Sequence, residues 1–320
     1  MCKVKAELNS GWVYRDRLTP KDAGQTVLNF YTCRYRHSSE QTWRDRIESE
    51  QIYWDDGLGK RPATVNQILE AGQELEYHRP PWREPAVPLN IEILYQDADL
   101  LVVSKPSGLP VMPAGGFLEH TLLRQLQRQY PGDFPPVPIH RLGRGTSGLM
   151  LLARSPLAKS KLTQQMRDRH LRKIYWGIAA GSPPKNQFTI TTPIGKLPHP
   201  TLGTIYGAVS ESAITGKFAH STCHVQHRDL QRQRSLIEVR ILTGRPHQIR
   251  IHLASAGFPL ANDSLYQTGG IPRLNPQPPH PLPGDCGYSL HAHHLTFYHP
   301  RRDRPITVTV PPPPEFWSQF

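Results

Sequence analysis

The sequence predicts an α+β protein with a small N-terminal domain and a large C-terminal domain. Its 320 residues are enough to bury a large core and one smaller one. Four prolines among residues 78–88 indicate an extended connection. Segments with helical and strand periodicity lie on both sides of it. We assign 1–24 to an N-terminal extension, 25–82 to the small domain, 83–90 to a proline-rich linker and 91–320 to the large domain.

The composition indicates a polyanionic partner. Lys and Arg total 38 and Asp and Glu 26, so the formal net charge is +12, which favours nucleic acid over a membrane. The longest apolar run, 149–153, is far too short to cross a bilayer. The four cysteines form no Cys-x-x-Cys pair, which fits a reducing compartment. Without an apolar leader at the N-terminus, we expect a cytoplasmic protein without an obligate protein partner.

The small domain begins with two predicted helices. The first runs from Thr26 to Cys33, and the second is capped at Ser38 or Ser39 and has Trp43 and Ile47 on one face. A strand at 51–54 and short elements near 65–69 and 74–77 follow. The order of helix, helix and hairpin resembles an S4-like RNA-binding domain, and a generic α+β cap is the alternative.

The large domain alternates predicted strands and helices. Pro246 suits the first turn of a helix that ends near Ser255, which would place Arg245 at a helix N-terminus, where an anion is favoured. The other predicted elements are strands on both sides of a turn at 96–99, helices at 121–130 and 158–170, and strands at 149–153, 174–180, 237–241 and 290–300.

The stretch 140–153 carries the strongest functional signal. Three glycines punctuate a loop that leads into the buried strand, and glycine lets backbone approach a ligand closely. Arg141 and Arg144 on this loop suit phosphate oxygens. The alternative is an ordinary basic turn between strands.

This loop resembles the signature of RluA-type pseudouridine synthases, His-Arg-Leu-Asp-x-x-Thr-Ser-Gly-Leu. The matching positions are His140, Arg141, Leu142, Thr146, Ser147, Gly148 and Leu149. Residues 105–111, the Lys173-Ile174-Tyr175 triplet and residues 243–254 are similar to three further family motifs in the family's order. The resemblance covers roughly residues 90–320. It implies a mixed, largely antiparallel sheet with a central cleft.

The resemblance also implies an activity on RNA. The family converts uridine in RNA to pseudouridine without a cofactor, so rRNA or tRNA is the expected partner. Tyr175 would stack on the flipped base, Arg141 would fill the gap in the RNA stack, and Arg245 would pair with the catalytic aspartate. The remaining expected RNA contacts are His140, Arg144, Thr146, Lys173, His247 and Arg250.

The sequence departs from the family at its catalytic aspartate, where it has Gly143. Loss of a catalytic group can cost several powers of ten in rate. Either another acid enters the cleft, or the protein binds structured RNA without isomerising it, as a chaperone or assembly factor. A carboxylate within reach of Arg245 would favour the first hypothesis, and an Arg245 that faces only solvent or phosphate would favour the second. The candidate acids are Asp168, Asp263 and Asp285.

A third class, a metal-dependent hydrolase, depends on the C-terminal histidines. They are His291, His293, His294 and His299. Strand alternation sends His291 and His293 to one face and His294 to the other. No carboxylate stands near them in a ligand pattern, so we predict no metal site.

Overall fold

The computed structural model describes residues 8–277, 279–318 and 320. They form two compact units. One ends at Glu84 and also includes His199–Gly203, and the other comprises Pro85–Pro198 and Thr204–Phe320. None of the helices in the described ranges is long and apolar enough to cross a membrane.

The N-terminal unit joins two helices to a four-stranded antiparallel sheet of order β1-β4-β2-β3. Thr26 and Ser39 cap the helices through their side chains, and the cap at Ser39 is the one predicted from the sequence. The elements are β1 Trp12–Arg17, α1 Val27–Arg34, α2 Glu40–Glu48, β2 Ile52–Asp55, β3 Lys60–Pro62 and β4 Glu74–Arg79.

Trp43 organises the core of this unit. Its ring stacks on Tyr31 at 4.7 Å and meets the edge of Tyr77 at 5.4 Å between centroids. Two features differ from the sequence prediction. Residues 12–17 pair with β4, so this part of the presumed extension belongs to the folded unit. The segment 65–69 is a loop, and its Ile68 makes a single bridge to Thr26.

The second unit is built on a ten-stranded sheet with the path β10-β13-β14-β9-β17-β8-β6-β5. β18 pairs with β17, and β7 pairs with β8. The elements are β5 Glu92–Gln96, β6 Leu100–Lys105, α3 Leu122–Gln129, β7 Val137–Pro138, β8 Ser147–Ala153, α4 Pro156–Arg167, β9 Arg172–Ala180, β10 Gln187–Ile190, β11 Ile194–His199, β12 Gly203–Ala208, β13 Ser221–Asp229, β14 Arg234–Ile241, α5 Gln248–Ser255, β15 Tyr266–Gln267, β16 Ile271–Pro272, β17 Leu290–Tyr298, β18 Pro305–Thr309 and α6 Pro314–Trp317.

This sheet is mixed and largely antiparallel, which confirms the predicted fold class. β17 and β8 are parallel neighbours, while the other pairs along the sheet are antiparallel. Every residue of β8 is buried, as its continuous apolar run predicts. The glycine-punctuated loop therefore ends in one of the most buried strands of the unit.

Helix α5 begins later than its sequence predicts. Its first residue is Gln248, and His247 precedes it in the left-handed region at φ 54°. The Gln248 side chain accepts a hydrogen bond from the Arg245 backbone N–H at 3.0 Å. Pro246 thus lies in a turn before the helix, and Arg245 is not in the first helical turn. The prediction that Arg245 lies at the N-terminus of the helix was therefore wrong.

Candidate active site

The loop before β8 is held in place by the segment that follows β6. Lys105 is fully buried, and its ammonium donates to the carbonyls of Pro106, Leu109 and Arg144 at 2.8–3.2 Å. Ser107 donates to the Gly145 carbonyl at 2.8 Å. A buried ammonium is costly unless its donors are satisfied, so these bonds fix the loop backbone.

The loop forms one wall of a cavity of about 270 Å³. Its other walls are formed by two residues of β9, Lys173 and Tyr175, and by the turn that precedes α5. Nine of the ten predicted site residues line it: His140, Arg141, Gly143, Thr146, Lys173, Tyr175, Arg245, His247 and Arg250. Arg144 does not, because its guanidinium lies over the Phe117 ring at 4.8 Å and donates to the Gly108 carbonyl. The sequence motifs therefore converge on one cavity.

Tyr288 is a cavity residue that could not be singled out from the sequence. It is 4% exposed, and its hydroxyl lies 3.3 Å from Thr146 Oγ1. A Cβ on Gly143 would be 2.9 Å from this hydroxyl, and a Cβ on Gly145 would be 3.1 Å from the ring. The two glycines make room for Tyr288, whose hydroxyl occupies the space where a side chain at position 143 would begin.

The cavity lining combines basic and apolar side chains, and it has no carboxylate among the residues described. Of the three candidate acids, Asp263 is buried and accepts two bonds of 2.7 Å from Arg250 and two more from backbone N–H groups. Asp168 is exposed and bonds to Gln164. Asp285 accepts from the Leu282 backbone. None of these three lines the cavity.

Arg245 reaches the cavity without a carboxylate partner in the described part of the chain. Its Nε donates to the Phe218 carbonyl at 2.9 Å, which orients the guanidinium. The guanidinium is thus available to an anionic group that enters with a ligand, such as a phosphate.

Burial changes the protonation of the lining residues. It lowers the pKa of Lys173 to about 8 and the pKa values of His140 and His247 to about 3. The nearby charge of Lys173 adds to the effect on His140, and that of Arg250 to the effect on His247. Burial also raises the pKa of Tyr175. At neutral pH both histidines and Tyr175 are therefore uncharged.

The C-terminal histidines have structural partners. His291 and His293 both contact the Val310 carbonyl, and His299 pairs with Asp97 at 2.7 Å. His294 lies against threonine hydroxyls. Over the described ranges, no group of three or more potential metal ligands comes together.

Comparison with known proteins places this arrangement in a family. Residues 99–255 match the model described as RNA pseudouridylate synthase. The chain is 46% identical over 291 residues to an uncharacterized RNA pseudouridine synthase of Synechocystis, covering 90% of this chain and 94% of that protein. It is 38% identical to RNA pseudouridine synthase 5 of Oryza sativa, covering 96% and 88% of the two chains.

The chain belongs to the RNA pseudouridine synthase family. A solved structure agrees at the level of the fold. Human RNA pseudouridylate synthase domain containing 1 matches with a TM-score of 0.56 and 24% identity over 74% of this chain and 90% of that one. The loop that contains Gly143 and Gly145 lies within the matched residues, and Tyr288 packs against it.

Proposed function

We propose that this protein isomerises uridine to pseudouridine in a structured RNA, with rRNA and tRNA as the candidate substrates. The observation that carries the proposal is the convergence of nine family-motif residues on one cavity. Its volume of about 270 Å³ is close to the lower end of the range for small-ligand sites, which suits one flipped nucleotide.

The lining residues have distinct proposed roles. Tyr175 stacks on the target base from the floor of the cavity, and the exposed Arg141 fills the space that the base leaves in the RNA. Arg245 binds an RNA phosphate with its free guanidinium nitrogens. Thr146 and Tyr288 present hydroxyls toward the ribose, where other members of the family have a carboxylate.

The N-terminal unit is proposed as an additional RNA-binding part of S4-like type. Cations lie at its two helices, with an exposed Arg36 in the turn between them and a half-buried Arg44 on α2. Arg46 lies 4.4 Å over the Trp43 ring, so that its stem is ordered by packing. Cations ordered in this way bind the RNA backbone with a smaller entropic cost.

A comparison of pseudouridine maps tests the proposal. The gene is deleted in the source organism, and sites that disappear from its rRNA and tRNA are identified. The purified protein is then incubated with RNA from the deletion strain. We expect at least one site to disappear and to be restored in vitro. Identical maps from the two strains would overturn the proposal.

The lack of a carboxylate in the described cavity lining motivates a second candidate, an RNA-binding protein without isomerase activity. Arg245 contacts no carboxylate in the described structure, and Gly143 cannot act as an acid or a base. For such a protein, deletion leaves the pseudouridine map unchanged, while the purified protein still protects specific RNA segments from chemical probing. The same pair of strains thus separates the two functions.

A further inference from the structure

Lys173 has no hydrogen-bond or ion-pair partner for its side chain among the residues described. Lys173 is half-buried, and its Nζ lies 3.6 Å from the position a Cβ on Gly244 would occupy. A structural lysine is normally satisfied, as Lys105 is by its three carbonyls. An unsatisfied, partly desolvated amine at a substrate cavity is available for chemistry.

The position of Lys173 relative to the proposed base platform follows from the strand. Lys173 and Tyr175 are two residues apart on β9, so their side chains share one face with about 7 Å between Cα atoms. Both line the same cavity. A base stacked on the Tyr175 ring therefore presents its edge within reach of the long Lys173 side chain.

We propose that the Lys173 amine is the general base that removes the C5 proton during isomerisation. This inference rests on the proposed function. The C1′–N1 bond breaks and its electron pair stays on N1, the uracil turns, and C5 forms a bond to C1′. C5 then carries both C1′ and its original hydrogen.

The neutral amine completes the reaction by accepting that C5 proton. The C5–H electron pair restores the C5–C6 double bond, and N1 takes a proton from water. The Lys173 ammonium afterwards gives its proton to solvent. One C–N and one C–H bond are lost, one C–C and one N–H bond are formed, and no oxidant or cofactor is required.

The other lining groups are less suited to accept this proton. His140 uses Nε2 to accept from the Leu151 backbone, and His247 Nδ1 lies 2.8 Å from the Tyr266 hydroxyl. Arginines stay protonated. The pKa of about 8 at Lys173 leaves roughly a quarter of the amine neutral at about pH 7.5, near the optimum for a general base.

Burial keeps this amine partly neutral by lowering the pKa of Lys173. The neighbouring basic or neutral groups on the surrounding segments are His140, Arg167, Arg169, Tyr175, Arg245 and His247. Since no carboxylate lines either cavity to which Lys173 contributes, no neighbouring anion stabilises its charged form.

Two variants separate a base from a phosphate-binding cation. Lys173→Arg keeps the charge but cannot give up a proton at neutral pH. We expect its rate of pseudouridine formation in deletion-strain RNA to fall at least about 100-fold, while its Kd for that RNA changes less than about threefold. Exposed Lys161→Arg on α4 is the matched control and should keep the full rate.

Lys173→Ala supplies an independent readout through added amines. We expect added methylamine or ethylamine to restore pseudouridine formation by this variant. In the wild type, kcat/KM should rise with pH up to about 8, and this rise should be absent from the pH profile of Lys173→Arg. A Lys173→Arg rate within about threefold of the wild type, or no rescue by any amine, would overturn the assignment. If the wild type itself forms no pseudouridine, the proposed function fails instead.

Discussion

The contact between Gly143 and Tyr288 predicts strong energetic coupling between these positions. The perturbation is Gly143→Ala, which adds one methyl group 2.9 Å from the Tyr288 hydroxyl. The Gly143 backbone is not left-handed, so alanine is acceptable in conformation. Overpacking costs about 1–3 kcal/mol, and the reduced freedom of the unfolded chain returns about 0.4–1 kcal/mol. We expect a net destabilisation between about 0 and 2.6 kcal/mol.

Removal of the Tyr288 hydroxyl should reverse the sign of this effect. In the Tyr288→Phe background, the nearest remaining atom to the new methyl is Thr146 Oγ1 at 3.4 Å, an ordinary contact. Gly143→Ala should then stabilise by about 0.4–1 kcal/mol. The double-mutant cycle therefore predicts a coupling free energy of about 1–3 kcal/mol.

Urea unfolding of the four proteins, followed by circular dichroism, measures this cycle. Gly284→Ala is the matched control, because its Cβ meets no atom within 4 Å and its φ is not positive. It should have the same effect in both backgrounds. A coupling below about 0.5 kcal/mol for Gly143 and Tyr288 would refute the steric argument, since independent sites add within that margin. Because the Tyr288 hydroxyl would lie 2.9 Å from the new Cβ, we expect that Gly143→Asp can place its carboxylate in the cavity only together with a smaller residue at position 288.

Three further predictions concern other charged groups. Arg250→Met leaves the buried Asp263 without its two 2.7 Å hydrogen bonds from the guanidinium and should cost about 3–5 kcal/mol in urea unfolding. Arg301→Met, at a residue whose side chain is 61% exposed, should cost clearly less. Burial of Glu76 raises its pKa, but hydrogen bonds from Lys60, His78 and Arg15 lower it more, to about 2. The ionised Glu76 side chain therefore stabilises the fold fully above about pH 4.5, and this stabilisation is lost as the pH falls toward 2. Glu76→Gln should flatten the pH dependence of the unfolding free energy between these two values. Arg141→Gln should reduce the slope of log K against log salt concentration for RNA binding by the amount expected for about one phosphate contact. An unchanged slope would mean that Arg141 does not contact the RNA backbone.

The motifs and the local elements could be predicted from the sequence because both depend on short-range patterns. The apolar run of β8 and the caps at Thr26 and Ser39 follow from such patterns. The role of Tyr288 could not be predicted, because its partner Thr146 is 142 residues away. Tyr288 lies between Gly287 and Ser289 and is part of no recognisable sequence motif. The glycines at 143 and 145 indicated only that some group approaches the loop backbone closely.

Helix α5 shows a different limit of sequence reasoning. Pro246 fits the first turn of a helix by propensity, but the Gln248 side chain binds the Arg245 backbone and Thr243 and shapes a turn there instead. The strand β1 was missed because its polar residues pair at an edge of the sheet and only Asp16 is buried. A local side-chain contact overrides helix propensity at α5, and a tertiary strand pairing forms β1 without an apolar pattern.

The release of tritium from RNA labelled at uridine C5 tests the central claim most directly. RNA is labelled in the deletion strain, so that the target uridine is unmodified, and is incubated with the purified wild-type protein. Because isomerisation removes the C5 hydrogen, we predict release equal to one tritium per restored pseudouridine, with Gly143 unchanged. Specific binding of this RNA without release above the background of heat-inactivated protein would contradict the claim and identify an RNA-binding protein.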